Sequence, residues 1–214
     1  MLRLRRLYDR VLLQISTAPV AVRILLAHVG GPGLLGLFLA LLARQCRGEP
    51  WSKLTPPASE TERECRDQIG QAILLYDALR DRVERELALK ITGEIVREAA
   101  VLHLRSLLPP IRRARYQAMS RAKRTAMLNG MVARFPNATV TDLVVRDDVF
   151  SYRVTRCELV ALARRLGRAE LAPLFCSGDS LYFERYLKEV DFQRPGTIAL
   201  GAESCDFCFR WSAC

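Results

Sequence analysis

Thr139-Val-Thr-Asp-Leu-Val-Val145, then Arg146-Asp-Asp148, then Val149-Phe-Ser-Tyr-Arg-Val-Thr155, is the stretch that decides the fold class of this chain. Before it, apolar residues recur at helical spacing. Within it, β-branched and aromatic residues alternate with polar ones, the period-two pattern of half-buried strands. The short polar stretch between the two arms suits an antiparallel hairpin. On the second arm Phe150, Tyr152 and Val154 share one face.

Toward the C-terminus the pattern predicts a helix from Cys157 to Leu166 with Gly167 as its C-cap. Short helices are expected over Ala169–Phe175 and Ser180–Leu187, and a second strand pair over Thr197–Gly201 and Cys205–Trp211. Toward the N-terminus, a basic helix runs from Ile111 to about Arg134, preceded by Pro109-Pro110 and closed by Phe135-Pro-Asn137. Ser59 followed by Glu62 is a capping-box pattern. It opens a long amphipathic helix through Ile69, Ile73, Tyr76 and Leu87, with an interruption expected at Thr92-Gly93. Helices, two strands, helices and two strands give an α+β domain: N-terminal helices, then an antiparallel sheet of about four strands with helices between the strand pairs.

Residues 1–57 stand apart from this domain, which spans 58–214. Ile24 to Ala43 carries no formal charge and is long enough to span a bilayer. Gly30-Gly-Pro-Gly33 in its middle favours two apolar helices joined by a tight turn. Such a hairpin lies at a membrane, packs on the domain or meets a partner protein. Glu49–Pro57 reads as a linker. The net charge of +10 is concentrated in two regions, residues 1–47 with seven Arg and one Asp and residues 97–134 with nine basic residues and one Glu. Basic surface of this kind suits an anionic membrane, met through residues 1–47 and 112–124, or forms an ordinary solvated helix face. The basic stretch lacks a recognition-fold signature, which argues against a specific nucleic acid partner. Seven cysteines without a regular pairing pattern point to reduced thiols and a cytoplasmic, membrane-associated protein.

Nucleotide-binding motifs are absent: there is no glycine-rich dinucleotide fingerprint and no phosphate-loop lysine. His28 and His103 both lie in apolar helical sequence and suit packing better than base catalysis. Cys205 and Cys208 would point to opposite faces of a strand, which disfavours a zinc pair. Neither metal nor cofactor is expected. The remaining chemistry lies in Cys157, Cys176, Asp179, Cys205 and Asp206, gathered at expected element ends. Cys157 follows Arg156 and opens a helix, two features that lower a thiol pKa. Cys176 is expected to close a short helix, and Asp179 to act as a base or as a cap at the following turn. The plainer alternatives are a buried thiol for Cys205 and an ion pair with Arg210 for Asp206.

Several of these segments form an ordered series. Val154-Thr-Arg-Cys157 is followed by Leu166-Gly-x-x-Glu170-Leu and Phe175-Cys-x-x-Asp179. Phe192-x-Arg-Pro-Gly-Thr197, Gly201 and Cys205-Asp-Phe207 complete it. From about residue 150 to 211 the chain thereby resembles the L-2-amino-thiazoline-4-carboxylic acid hydrolase family. The resemblance implies a hydrolase opening a cyclic amidine-like C–N bond in a small carboxylate substrate, with N-carbamoyl-L-cysteine as product. It implies attack on the ring carbon between sulfur and nitrogen by a Cys thiolate, Cys176 as the first candidate and Cys157 as the second, or by an Asp-activated water, with Asp179 moving protons. Arg156 would hold the substrate carboxylate, with Cys205 and Asp206 as further substrate-side residues. The contrasting expectation is a non-catalytic module binding a small ligand or a partner at a membrane surface.

Overall fold

The computed structural model describes residues 2–211, with the backbone course alone for residues 2–16. The elements follow in order as α1 (Leu2–Cys46), α2 (Glu60–Arg80), α3 (Arg85–Leu107), α4 (Arg113–Gln117) and α5 (Arg121–Val132). Then come β1 (Ala138–Val145), β2 (Val149–Cys157), α6 (Glu158–Arg165), α7 (Ala172–Tyr186), β3 (Val190–Gln193) and β4 (Cys205–Trp211). The sheet is antiparallel throughout, in the order β1-β2-β4-β3. The fold is α+β, as the strand and helix patterns predict.

Two of the three apolar clusters among the described residues are the largest. In the helical one, Ile69, Ile73, Tyr76 and Leu79 of α2 meet Ile91 of α3, Leu162 of α6 and Leu171, all nearly inaccessible. In the other, one face of the sheet packs Phe150, Phe209 and Trp211 against Tyr116 and Leu128 of α4 and α5. Phe150 and Phe209 stack with ring centroids 4.3 Å apart, and Phe183 of α7 joins Phe209 at 5.0 Å. Ring pairs at this spacing add to the stability that area burial alone supplies.

Ser59 caps α2 as its sequence predicts, accepting a hydrogen bond from the Glu62 N–H at 3.0 Å while Glu62 accepts from the Ala58 N–H at 2.9 Å. Other boundaries differ from the sequence reading. The long helix breaks at residues 81–84, and Thr92-Gly93 lies inside α3. Gly93 is there for packing, since a Cβ at that position would sit 3.1 Å from Leu174 of α7. The helices expected over Ala169–Phe175 and Ser180–Leu187 are one helix, α7, preceded by a single 3₁₀ turn at Ala169–Leu171. Gly178 does not interrupt it. A methyl group there would overlap the Cβ of Ala100 on α3, so the glycine lets two helices approach closely. The basic segment divides at Ala118–Ser120 into α4 and α5.

The expected strand at Thr197–Gly201 is a 3₁₀ turn at Ile198–Leu200, capped by Gly201 at φ 98°. The partner of β4 is Val190–Gln193 instead. The apolar N-terminal segment is two helical stretches that meet at a kink at Gly30, at φ 66° and ψ −179°, the place where the sequence expects the break. Rather than folding back on itself, it packs along α2 and α3. Leu25 and Leu37 are buried, Arg44 donates to Asp81 at 2.7 Å, and the Arg82 guanidinium donates to the Gly36 carbonyl at 2.9 Å.

Candidate active site

Because α7 is continuous, Cys176 and Asp179 project from one face of the same helix, three residues apart. The expected turn or N-cap at Asp179 does not exist, so its carboxylate is not used in capping. It makes an ion pair with Arg194, which lies just beyond β3. A second guanidinium nitrogen of Arg194 donates to the Cys176 carbonyl at 2.9 Å. The guanidinium stacks near Phe192 and Phe207, with ring centroids 5.6 and 5.3 Å away. Arg194 is therefore held on several sides, and its side chain is only 9% exposed.

Dense packing around Asp179 raises its carboxyl to about 6, against the opposing pull of Arg194. A quarter of its side-chain surface still reaches solvent, so the group is desolvated but accessible. Burial and the neighbouring Asp179 charge push the Cys176 thiol up to about 12. Burial also raises Tyr152, and the Asp179 charge adds to that rise. The Arg194 Nε and the Thr197 hydroxyl are buried without a hydrogen-bond partner among the described residues.

Cys157 ends β2 and occupies the N-cap position of α6. Burial raises the pKa of its thiol. The N–H groups of Val160 and Leu159 and the Asn137 side chain oppose that rise by favouring the thiolate. Cys157, Cys176 and Cys205 are near enough to influence one another's ionisation. Cys205 is buried opposite Val154 on β2, with its sulfur accepting from the Ile198 N–H at 3.3 Å. Among the described residues, no three His, Cys, Asp or Glu side chains are placed to hold a metal ion.

The structure thus brings Cys157, Cys176, Asp179 and Cys205 into one neighbourhood and adds Arg194. Arg156 and Asp206 lie elsewhere. Asp206 accepts from the Arg153 Nε at 2.7 Å, directly across the β2–β4 ladder, and not from Arg210. A cross-strand neighbour is far closer than a residue four positions along an extended strand. Arg156 is exposed, pairs with Glu158 at 3.2 Å and lines a polar cavity of about 310 Å³. Ser59, Glu62 and Asn137 also line it, and Asn137 links the cavity to the Cys157 thiol. The histidines serve packing: His28 contacts Glu94 of α3 at 3.2 Å, and burial lowers the pKa of His103.

Arg194 was legible only as one letter of the Phe192-x-Arg-Pro-Gly-Thr197 motif. Its role depends on β3, which brings it back over α7. Sequence spacing alone gives no sign of that return.

A family model described as L-2-amino-thiazoline-4-carboxylic acid hydrolase matches residues 63–209, well over half of the chain. No curated protein matches it. The chain belongs to the L-2-amino-thiazoline-4-carboxylic acid hydrolase family.

Proposed function

From that membership and the buried cluster, we propose that the protein hydrolyses a small cyclic amidine bearing a carboxylate, of the 2-amino-thiazoline-4-carboxylate type. The observation that carries the proposal is the Asp179–Arg194 pair. An aspartate held in place by a guanidinium, near the Cys176 thiol and with its carboxyl raised to about 6, is suited to proton transfer.

Cys157 is the favoured nucleophile. The amides of Val160 and Leu159 and the Asn137 side chain support its thiolate, whereas the Asp179 charge opposes ionisation of Cys176. Arg156 lines the polar cavity that Asn137 shares with the Cys157 thiol, and from there would receive the substrate carboxylate. The Cys157 sulfur attacks the ring carbon that lies between sulfur and nitrogen. The ring C–S bond then breaks, and its sulfur leaves with a proton delivered by Asp179. An isothiourea joined to Cys157 remains. Water, deprotonated by Asp179, adds to the same carbon, and the Cys157 sulfur is expelled. One water is consumed overall and N-carbamoyl-L-cysteine is released. Breaking the ring C–N bond instead would give the isomer S-carbamoyl-L-cysteine, so a product that keeps its carbamoyl group on nitrogen requires C–S cleavage.

The test is incubation of the full chain with L-2-amino-thiazoline-4-carboxylate. The expected result is one new thiol per substrate consumed, with the mass of substrate plus water, and loss of turnover in Cys157→Ala. A product with no new thiol would overturn C–S cleavage. The absence of any product from folded protein would overturn the substrate assignment. Full activity in Cys157→Ala together with loss in Cys176→Ala would transfer the nucleophile to Cys176.

A further inference from the structure

Helix α1 lies outside the segment that the family model matches, and its two sides are unlike. One side is fastened to the domain through buried Leu25 and Leu37, the His28–Glu94 contact, the Arg44–Asp81 pair and the Arg82 hydrogen bond to the Gly36 carbonyl. The other side presents Leu35, Phe38, Leu39 and Leu42, of which Leu35, Phe38 and Leu39 are 63%, 56% and 58% exposed. After the Gly30 kink these four residues fall on one helical face. Before it, Val22 and Leu26 form a shorter exposed apolar patch. Segment Thr17–Cys46 has the length and composition of a membrane span, yet its inner side is occupied by protein. A helix cannot be surrounded by lipid while one side is packed on a polar domain.

The charges indicate what covers the outer side. No acidic residue occurs between Asp9 and Glu49. Arg3, Arg5, Arg6 and Arg10 precede the apolar stretch in sequence. Arg44 and Arg47, at the other end, are already engaged by Glu49 and Asp81. In sequence, the positive charge of residues 1–47 is therefore concentrated before the apolar stretch. The helix runs antiparallel to α3, with Arg44 beside Asp81, His28 beside Glu94 and Arg23 influencing Glu98. Its N-terminal end is thus directed toward the end of α3, where α4 and α5 follow with Arg115, Arg121 and Lys123 exposed. Arg124 does not contribute, because it is buried beside Tyr116 and paired with Asp147.

We propose that the outer face of α1 docks on an anionic lipid bilayer, lying in the interface without crossing it. Apolar side chains on one face enter the headgroup boundary, and basic residues at one end meet anionic headgroups. A second copy of the chain fits this face less well. Pairing through it would bring two strongly cationic N-terminal regions together.

The test is flotation of the full chain with vesicles of phosphatidylcholine alone and of phosphatidylcholine containing phosphatidylglycerol. Binding is expected on the anionic vesicles, weakening as salt is raised. Replacing Leu35, Phe38, Leu39 and Leu42 together by Gln should reduce it at least about tenfold without altering thermal melting, since all four are exposed. A second variant, Arg121→Glu with Lys123→Glu, should lower binding to anionic vesicles with the apolar face intact. Equal binding to both kinds of vesicle, or unchanged binding in both variants, would overturn the proposal. So would a stable lipid-free dimer, measured by light scattering, that the Gln variant converts to monomer.

Discussion

Helices α1 and α7 both pack against α3, and they use that wall in opposite ways. Helix α7 lies so close that Gly178 admits no Cβ, and it carries Cys176 and Asp179 into the desolvated cluster. Helix α1 makes looser contact and turns leucines and a phenylalanine outward. The apolar helix is the one left exposed, and the helix bearing a carboxylate and a thiol is the one packed closely against its neighbour. Burying an ionisable group is costly unless something offsets it, and on α7 that offset is Arg194. An arrangement of this kind is expected where chemistry is done. An uncovered apolar face is expected where something else provides the covering.

Removing the Asp179 charge tests the contrast most severely. Asp179→Asn keeps the shape and abolishes proton transfer, so turnover should fall by about 10²–10⁴-fold. Wild-type activity should fall as pH rises above about 6, where the carboxyl has already lost the proton it must deliver to the departing ring sulfur. The same variant should accelerate alkylation of Cys176, because the neighbouring charge that helps hold its thiol up to about 12 is gone. Mass-resolved alkylation of each cysteine checks this. Unchanged Cys176 reactivity would mean that burial alone sets its pKa.

Arg194→Met should produce the next largest effect. It leaves Asp179 packed away from water without its cation, at a cost of about 3 kcal/mol when the carboxyl is ionised. The folded pKa of Asp179 already lies above its ordinary value of 3.8. Its protonated form is therefore the one the fold prefers. That contribution is fully present below about pH 4 and is lost as pH rises through about 6. Without Arg194 the folded pKa moves higher still. The variant should consequently be far less stable than wild type at pH 8 and much closer to it at pH 5, as measured by urea midpoints. A deficit independent of pH would reduce Arg194 to a packing residue.

Gly178→Ala comes third. The added methyl must displace Ala100 or separate α7 from α3, and overpacking of this kind costs about 1–3 kcal/mol. Pairing it with Ala100→Gly should restore much of the loss, because that change removes the atom the methyl strikes. Failure of the pair to recover would point to strain in the α7 backbone itself.

The sequence made the fold class legible because the hairpin at residues 139–155 changes hydrophobic period within a few residues, and a period is a local property. Ser59 was equally plain, since a capping box is completed within one turn. Gly93 was misread as an interruption, although it lies inside α3 for packing. A glycine placed for close helix packing looks, from sequence, the same as a glycine placed to break a helix. The ion pairs were hidden in another way. Arg153 reaches Asp206 through strand register, and Arg194 reaches Asp179 through the return of the chain over α7. Both depend on tertiary placement that no residue spacing reports. Cys157 was the reverse case, because its position at the junction of a strand and a helix followed directly from the pattern around it.

The smallest effect belongs to α1 and completes the contrast with Gly178. Gly36 lies in the helical stretch after the Gly30 kink, and a Cβ there would meet only the Arg82 guanidinium, at 3.8 Å, an ordinary contact. The Arg82 bond to the Gly36 carbonyl is a backbone interaction and survives the change. Gly36→Ala therefore removes conformational freedom from the unfolded chain without a steric cost, and should stabilise by up to about 1 kcal/mol. The same substitution is thus expected to have opposite signs on two helices that share one wall. Thermal melting of the two single variants is sufficient to check it. If Gly36→Ala destabilised as much as Gly178→Ala, α1 would be held as tightly as α7. Its outward leucines would then have to be explained as part of a rigid protein contact.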